Sequence, residues 1–402
     1  MKVFVTDGYA RAALAVTRSL GAKGHQIFVG SESKRSLASS SKYCHLGVSY
    51  PNPAEEPEAF VDFLIDAVER YGIEVLMPVT DVCLLLVSKH RARFPSTCRL
   101  PIADDAAINA AADKNHILEL AKSIGMPVPQ SLVIDSSDGV EESLSGAGLN
   151  YPVVLKPVRS RVKSASGWIS TAVDYAADRD ELLAKLEAYV PEVYPVILQQ
   201  RISGVGSGAF YCFNAGKCIA KFAHARLREK PPSGGVSVLR ESRLIDPKVD
   251  EYSQKLLAAL GWHGVAMVEF KIDEATGDAY IMEINGRYWG SLQLAIDAGV
   301  DFPEILLSMV STDVPKDPPE YKTGVKTRWF WGDMDLLLMY LLKKSEALKL
   351  PEQHPGRLRA ILSILLPWSR GQRFEILRFK DMGPWLYETK KWINTNLLNR
   401  LD

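Results

Sequence analysis

The chain has 402 residues, 47% of them hydrophobic and 24% charged, which is globular composition and too long for one ordinary core. Its 48 Lys+Arg balance 48 Asp+Glu, which excludes a globally basic nucleic-acid binder. The 5 cysteines include no C-x-x-C and the 7 histidines are scattered, so the sequence argues for free thiols in a reducing compartment and against a zinc site.

Met1-Lys-Val-Phe-Val opens a strand, not a charged-then-apolar leader, and no apolar run reaches the ~18 residues of a membrane span. A cytoplasmic protein is expected. Residues 2–5 form a strand, Thr6-Asp7-Gly8 a turn, and Ala12, Leu14, Ala15 and Leu20 the apolar side of a helix. Residues 26–30 return as a strand, and this rhythm predicts a parallel sheet with a right-handed crossover. An amphipathic helix at 60–71 precedes a buried strand at 75–79. Thr80-Asp81 lies at the C-terminal end of that strand, where open α/β sheets bind ligands. Turn and capping chemistry explains Asp7, Thr80 and Asp81 at least as well as ligand binding. The first loop lacks G-x-G-x-x-G, which argues against a dinucleotide site.

Residues 105–125 read as helical and carry Lys114, with a break at Gly125-Met-Pro-Val-Pro129. A strand at 131–134, a polar Gly-rich stretch at 135–150 and a strand at 151–157 follow, with Lys156 near the end of the last. A helix at 181–189 and a strand at 196–199 come next. Segments 210–213 and 218–222 flank Asn214-Ala-Gly216 as a hairpin.

A second hairpin carries the strongest chemistry. Side chains alternate along a strand, so Glu283 and Asn285 share a face. Val268, Phe270 and Ile272 form the opposite, apolar face of the first strand, and Tyr280, Met282 and Ile284 that of the second. If Asp273 pairs with Ala279 around the loop 274–278, Glu269 faces Glu283 directly. Facing like charges destabilise a ladder, and a hard cation such as Mg²⁺ held by Glu269, Glu283 and Asn285 removes that cost. The alternative is a solvated polar face. Upstream, Lys156 and the loop Arg159-Ser-Arg-Val-Lys-Ser-Ala-Ser-Gly167 offer cations and backbone N–H groups to anionic oxygens, or form mobile surface. Residues 196–204 end a strand and begin a link that reads as a hinge or as an edge for an adenine.

The order Lys114, Lys156, small-residue loop, hinge, Glu269, Glu283-Ile-Asn285-Gly-Arg287 resembles the ATP-grasp superfamily. The pattern is similar to that of carboxylate–amine ligases, biotin carboxylase and carbamoyl-phosphate synthase. The tail 313–402 lies outside the resemblance and reads from its own pattern as a mainly helical extension. The resemblance covers residues 1–312 and implies an α/β and α+β architecture with a Rossmann-like parallel α/β domain at 1–110, a lid subdomain at 111–198 and a large subdomain at 199–312. It implies that Lys114 and Lys156 contact ATP phosphates and that Ser164, Ser166 and Gly167 belong to a phosphate lid. Gln199, Gln200 and Ile202 would line the adenine pocket. Glu269, Glu283 and Asn285 would hold one or two Mg²⁺ (or Mn²⁺) ions, and Arg287 and Arg226 would steady the carboxylate or its acyl phosphate. Two departures stand out. Val205-Gly206-Ser207-Gly208 supplies no acid for the ribose, and the lid loop holds a single glycine.

The implied activity is ATP-dependent activation of a small-molecule carboxylate as an acyl phosphate, followed by attack of an amine. Competing readings are a bicarbonate-using carboxylase or carbamoyl-transfer enzyme, and a nucleotide-binding module without catalysis. Glycoside hydrolysis is disfavoured, because Glu269 and Glu283 sit too close for an inverting pair and the two lysines would have no task. A homodimer is the default assembly. The tail 313–402 has 16 Lys+Arg against 11 Asp+Glu and five of the eight tryptophans. Its apolar runs at 336–342 and 358–366 fit helices packed on the preceding domain better than a surface for a membrane or lipid-linked substrate.

Overall fold

The computed structural model describes residues 1–145, 148–164, 167–311, 314–348, 350, 355–366 and 372–398. The N-terminal sheet is wholly parallel, in the order Leu46–Ser49, Gln26–Ser31, Lys2–Val5, Val75–Met77. Helix Arg11–Ala22 covers one face and has nine buried residues, because it also packs on helices Leu292–Ala298 and Phe302–Ser308, and Pro57–Tyr71 covers the other face through Phe60, Val61, Leu64 and Val68. The crossover predicted from the 2–30 pattern is present. Asp7 takes a left-handed φ of 59° in its turn. That conformation is held because its buried carboxylate accepts bonds from Thr6, the Thr80 N–H and the Thr80 hydroxyl.

A single helix over 105–125 is not formed. Asp105–Ala112 and Lys114–Ser123 are separated at Asp113, whose carboxylate caps the second helix by accepting from His116 N at 2.9 Å. Lys114 is thereby the first residue of a helix. The next sheet is antiparallel, in the order Ser131–Ile134, Val196–Gln200, Val153–Pro157, Asp174–Ala176, with Arg179–Ala188 packed on it through Leu182 and Leu186.

Seven strands build the central sheet: Ala279–Asn285, Gly264–Asp273, Gly204–Asn214, Lys217–Lys230, Val236–Arg243, Lys326–Arg328 and Gln372–Phe374. The last two come from the tail, which therefore extends the sheet as well as adding helices. Buried ion pairs fix it. Glu375 accepts from Arg11 and Arg240, each at 2.8 Å, and Arg18 donates to Asp381 at 2.8 Å. The two apolar runs form Phe330–Leu342 and Arg357–Leu365, which bury Leu336, Tyr340, Ala360 and Ile364 together with Val238. The packed reading of these runs holds, although Leu358, Leu362 and Leu365 stay exposed on one side of their helix. No helix among the described residues is long and apolar enough to cross a membrane. All five cysteines are free thiols.

Candidate active site

The Glu269/Glu283 pairing exists, but it is reached by a different route from the one expected. The hairpin pairs Ile272 with Ala279, one residue off the predicted register, because the Asp273 carboxylate closes the turn by accepting from Ala275 N and Thr276 N. A β-bulge between Phe270 and Glu269 then absorbs one residue of the partner strand, and Glu269 comes opposite Glu283 after all. The expected apolar face of the second strand is corrected accordingly. Ala279, Ile281 and Ile284 point into the core, whereas Met282 is turned toward the cleft, where its sulfur lies 3.5 Å from Lys156 Nζ.

Both carboxylates are bonded by side chains, and Glu269 is paired with a cation. Arg226 Nη2 donates to Glu269 at 3.0 Å. Asn285 Nδ2 donates to Glu283 at 3.0 Å and lies 3.5 Å from Glu269, while its Oδ1 accepts from Arg287 at 3.2 Å. Burial raises the Glu269 carboxyl pKa, with Arg226 opposing and Glu283 reinforcing the shift. Among the described residues no three His, Cys, Asp or Glu side chains converge on one point. The donor set is two carboxylates and an amide whose half-turn presents Oδ1 to them, which suits a hard divalent ion that keeps water and phosphate oxygens as its other ligands. Gly286 is required next to this set, since a Cβ there would meet the Trp262 ring at 2.5 Å.

Lys156 projects from its strand beneath the glutamates. Its Nζ donates to Gln199 Oε1 at 2.6 Å, and Gln199 Nε2 donates to Ser131 at 3.0 Å. The Gln199 side chain is thus committed to holding the lysine. Burial, followed by the positive field of Lys114, pushes the Lys156 ammonium down to about 8. Lys114 is lowered as well by burial, against the pull of Glu283, Asp113 and Asp81, and it donates to Ser160 at 2.8 Å. Lys114, Lys156, Gln199, Gln200, Ile202, Glu269 and Glu283 line one cleft of about 270 Å³ between the four-stranded antiparallel sheet and the central sheet. Lys271, Met282 and Arg201, which the sequence reading did not single out, share it. The link after Gln200 ends at Gly204, where φ is +157° and a Cβ would overlap Ile272 O.

The loop over 159–167 is a hairpin of Arg161–Ser164 with Gly167–Ser170, in which Ser164 pairs with Gly167. Ser166 lies outside the described residues. An adjoining cavity is lined by Lys114, Ser160, Arg161, Glu283, Asn285 and Arg287. Asp81 belongs to this group. It accepts from Arg287 Nε at 2.8 Å and joins the C-terminal end of a strand in the first sheet to the Glu283/Asn285 strand through Arg287. Its position after a parallel strand was the signal that could have promoted it. Asp7 and Thr80 remain in turn chemistry. Arg287 and Asp81 also face a further cavity with Thr80, Arg11 and Tyr288.

Known proteins are similar to this chain in sequence and fold. Residues 215–332 match a family described as ATP-grasp in the biosynthetic pathway with Ter operon. The carbamoyl phosphate synthase large chain of Methanosphaerula palustris is 24% identical over 200 residues, which span 48% of this chain and 18% of that one. The L-amino acid ligase of Bacillus licheniformis superposes with a TM-score of 0.56 at 15% identity, over 77% of this chain and 74% of that one. The biotin carboxylase domain of Hydrogenobacter thermophilus 2-oxoglutarate carboxylase, solved as a dimer with MgADP and bicarbonate, gives 0.61 at 16% identity, over 81% and 73%.

Proposed function

With the ATP-grasp fold as premise, we propose that this chain is an ATP-dependent ligase that activates a small-molecule carboxylate as an acyl phosphate and couples it to an amine, releasing ADP and phosphate. One observation carries the reading. The bulged hairpin brings Glu269 and Glu283 to the same cleft as Lys114 and Lys156, and Glu283 and Lys114 also line the adjoining cavity with Asn285 and Arg287. Phosphoryl transfer needs charge neutralisation and alignment more than an acid–base pair.

In this reading the base lies against Ile202 and the 200–203 backbone, and Lys156 and Lys114 meet the phosphates. Glu269, Glu283 and Asn285 hold Mg²⁺, which when bound neutralises phosphate oxygens. Arg226 yields its bond to Glu269 and turns to the reacting oxygens. Arg287, held by Asp81 and Asn285, steadies the carboxylate, and the 161–170 hairpin closes over the phosphates to exclude water. The domain division at 110, 198 and 312 and a cytoplasmic setting belong to the same proposal. A bicarbonate-using reaction is the second reading, favoured by the likeness to a biotin carboxylase domain solved with bicarbonate.

The test is ADP release with ATP and Mg²⁺, comparing pooled amino acids with bicarbonate. Stimulation by paired amino acids supports the ligase. Stimulation by bicarbonate alone shifts the assignment to the second reading. No turnover, with ATP still raising the melting temperature, leaves a non-catalytic nucleotide binder.

A further inference from the structure

Another cavity, of about 400 Å³, lies between the first loop and the tail. Its walls include Tyr9, Leu37, Trp329, Trp331, Trp392 and Glu388. It shares Tyr9, Ala10 and Arg11 with the cavity that holds Arg287 and Asp81. We propose that this chamber is a distal subsite for the substrate activated at Arg287, and that it takes a flat aromatic or heteroaromatic ring carrying a hydrogen-bond donor. The link to a substrate rests on the ligase reading, whereas the chamber's chemistry does not.

The walls define the ligand. Trp331 and Trp392 stack with ring centroids 4.2 Å apart, and each indole N–H is already used, by Thr389 and by Asp335. Trp329 donates its N–H to Glu388 at 2.7 Å, and its ring carries Arg11 at 4.0 Å and Lys230 at 4.7 Å. Trp331 and Trp392 therefore offer a ligand ring surface, Trp329 is already engaged by cations, and none of the three has a free donor. Such surfaces select flat groups by stacking and area.

Glu388 supplies the polar requirement. One oxygen accepts from Trp329, while Oε2 is buried without a hydrogen-bond partner. Burial raises this carboxyl to about 7. A buried acceptor lacking a donor is costly, and a ligand N–H or O–H removes the cost. A purely packed tail would have closed this space, because apolar walls around a cavity forfeit contacts. Tyr9 is instead 50% exposed at its mouth.

The experiment uses the full chain and three probes: indole, 1-methylindole and cyclohexanol, followed by ligand-observed NMR. Indole should bind at least about fivefold more tightly than either of the others, since one lacks the donor and the other the flat ring. Thr395→Trp, which fills the chamber from its exposed rim, should abolish indole binding. Trp331→Ala should weaken it, and Glu388→Gln should make indole and 1-methylindole equal. ADP binding should stay unchanged in all three variants. Indole binding indifferent to Thr395→Trp, or no preference over cyclohexanol in the wild type, overturns the chamber. Turnover equal for aromatic and aliphatic amino acid pools overturns its link to the reaction. Absence of any turnover, with indole binding intact, counts against the ligase reading alone.

Discussion

Nucleotide affinity should fall with rising pH through one identifiable group. In the free protein burial and Lys114 hold the Lys156 ammonium at about 8. A triphosphate placed against it restores the charged form, so binding takes up a proton wherever the free lysine is neutral. The sign follows directly: below the free pKa the lysine is already charged and affinity is flat, while above it each pH unit costs a factor approaching ten. Between about pH 7 and about pH 9.5 affinity should drop about 30-fold, equal to about 2 kcal/mol. Nucleotide phosphates, with a second pKa of about 6, contribute little over the upper part of this window. Lys114 is lowered as well and adds in the same direction. Calorimetry of MgADP binding in buffers of different ionisation enthalpy reads both affinity and proton uptake. Lys156→Met should bind weakly near neutrality and lose most of the pH slope and proton uptake. A wild-type affinity that stays level to about pH 9.5, or a slope undiminished in Lys156→Met, would refute the placement of this lysine on the phosphates.

Glu283→Gln should lower turnover at least about 100-fold while leaving the melting temperature near the wild type, because it alters an oxygen set and no core contact; a wild-type rate contradicts the metal assignment. Gly286→Ala forces a Cβ into the Trp262 ring and should destabilise by about 1–3 kcal/mol, read by urea unfolding. Glu375→Ala leaves Arg240, 1% exposed, without its carboxylate and should cost about 3–5 kcal/mol; an unchanged unfolding midpoint would show that the tail is not anchored there. Asp81→Asn should weaken the hold on Arg287 and raise KM for the carboxylate more than KM for ATP, which steady-state kinetics separates; equal effects on both place Asp81 outside the substrate end.

The tail shows how far local pattern reaches. Its apolar runs at 336–342 and 358–366 are legible along the chain and fall in helices Phe330–Leu342 and Arg357–Leu365. Its two three-residue strands are not, because Lys326–Arg328 and Gln372–Phe374 are strands only by pairing with a sheet edge far away in the chain. Asp81 shows the same limit at the site, since a residue that starts a helix after a strand looks like cap chemistry until Arg287, 206 residues later, is folded against it.

By itself the sequence determined which residues carry charge and oxygen, the strand periods that place Lys156, Glu283 and Asn285 on their strands' faces, and the chain order of Lys114, Lys156, Glu269 and Glu283-Ile-Asn285-Gly-Arg287. Alternation and capping are local, so they can be read along the chain. Only the tertiary structure decided that a bulge at Met282 restores the Glu269/Glu283 pairing after a turn that slipped by one, that Gln199 holds Lys156, and that Asp81 meets Arg287. Those outcomes depend on cross-strand register and inter-sheet contacts, whose energies belong to pairs of distant residues rather than to any segment.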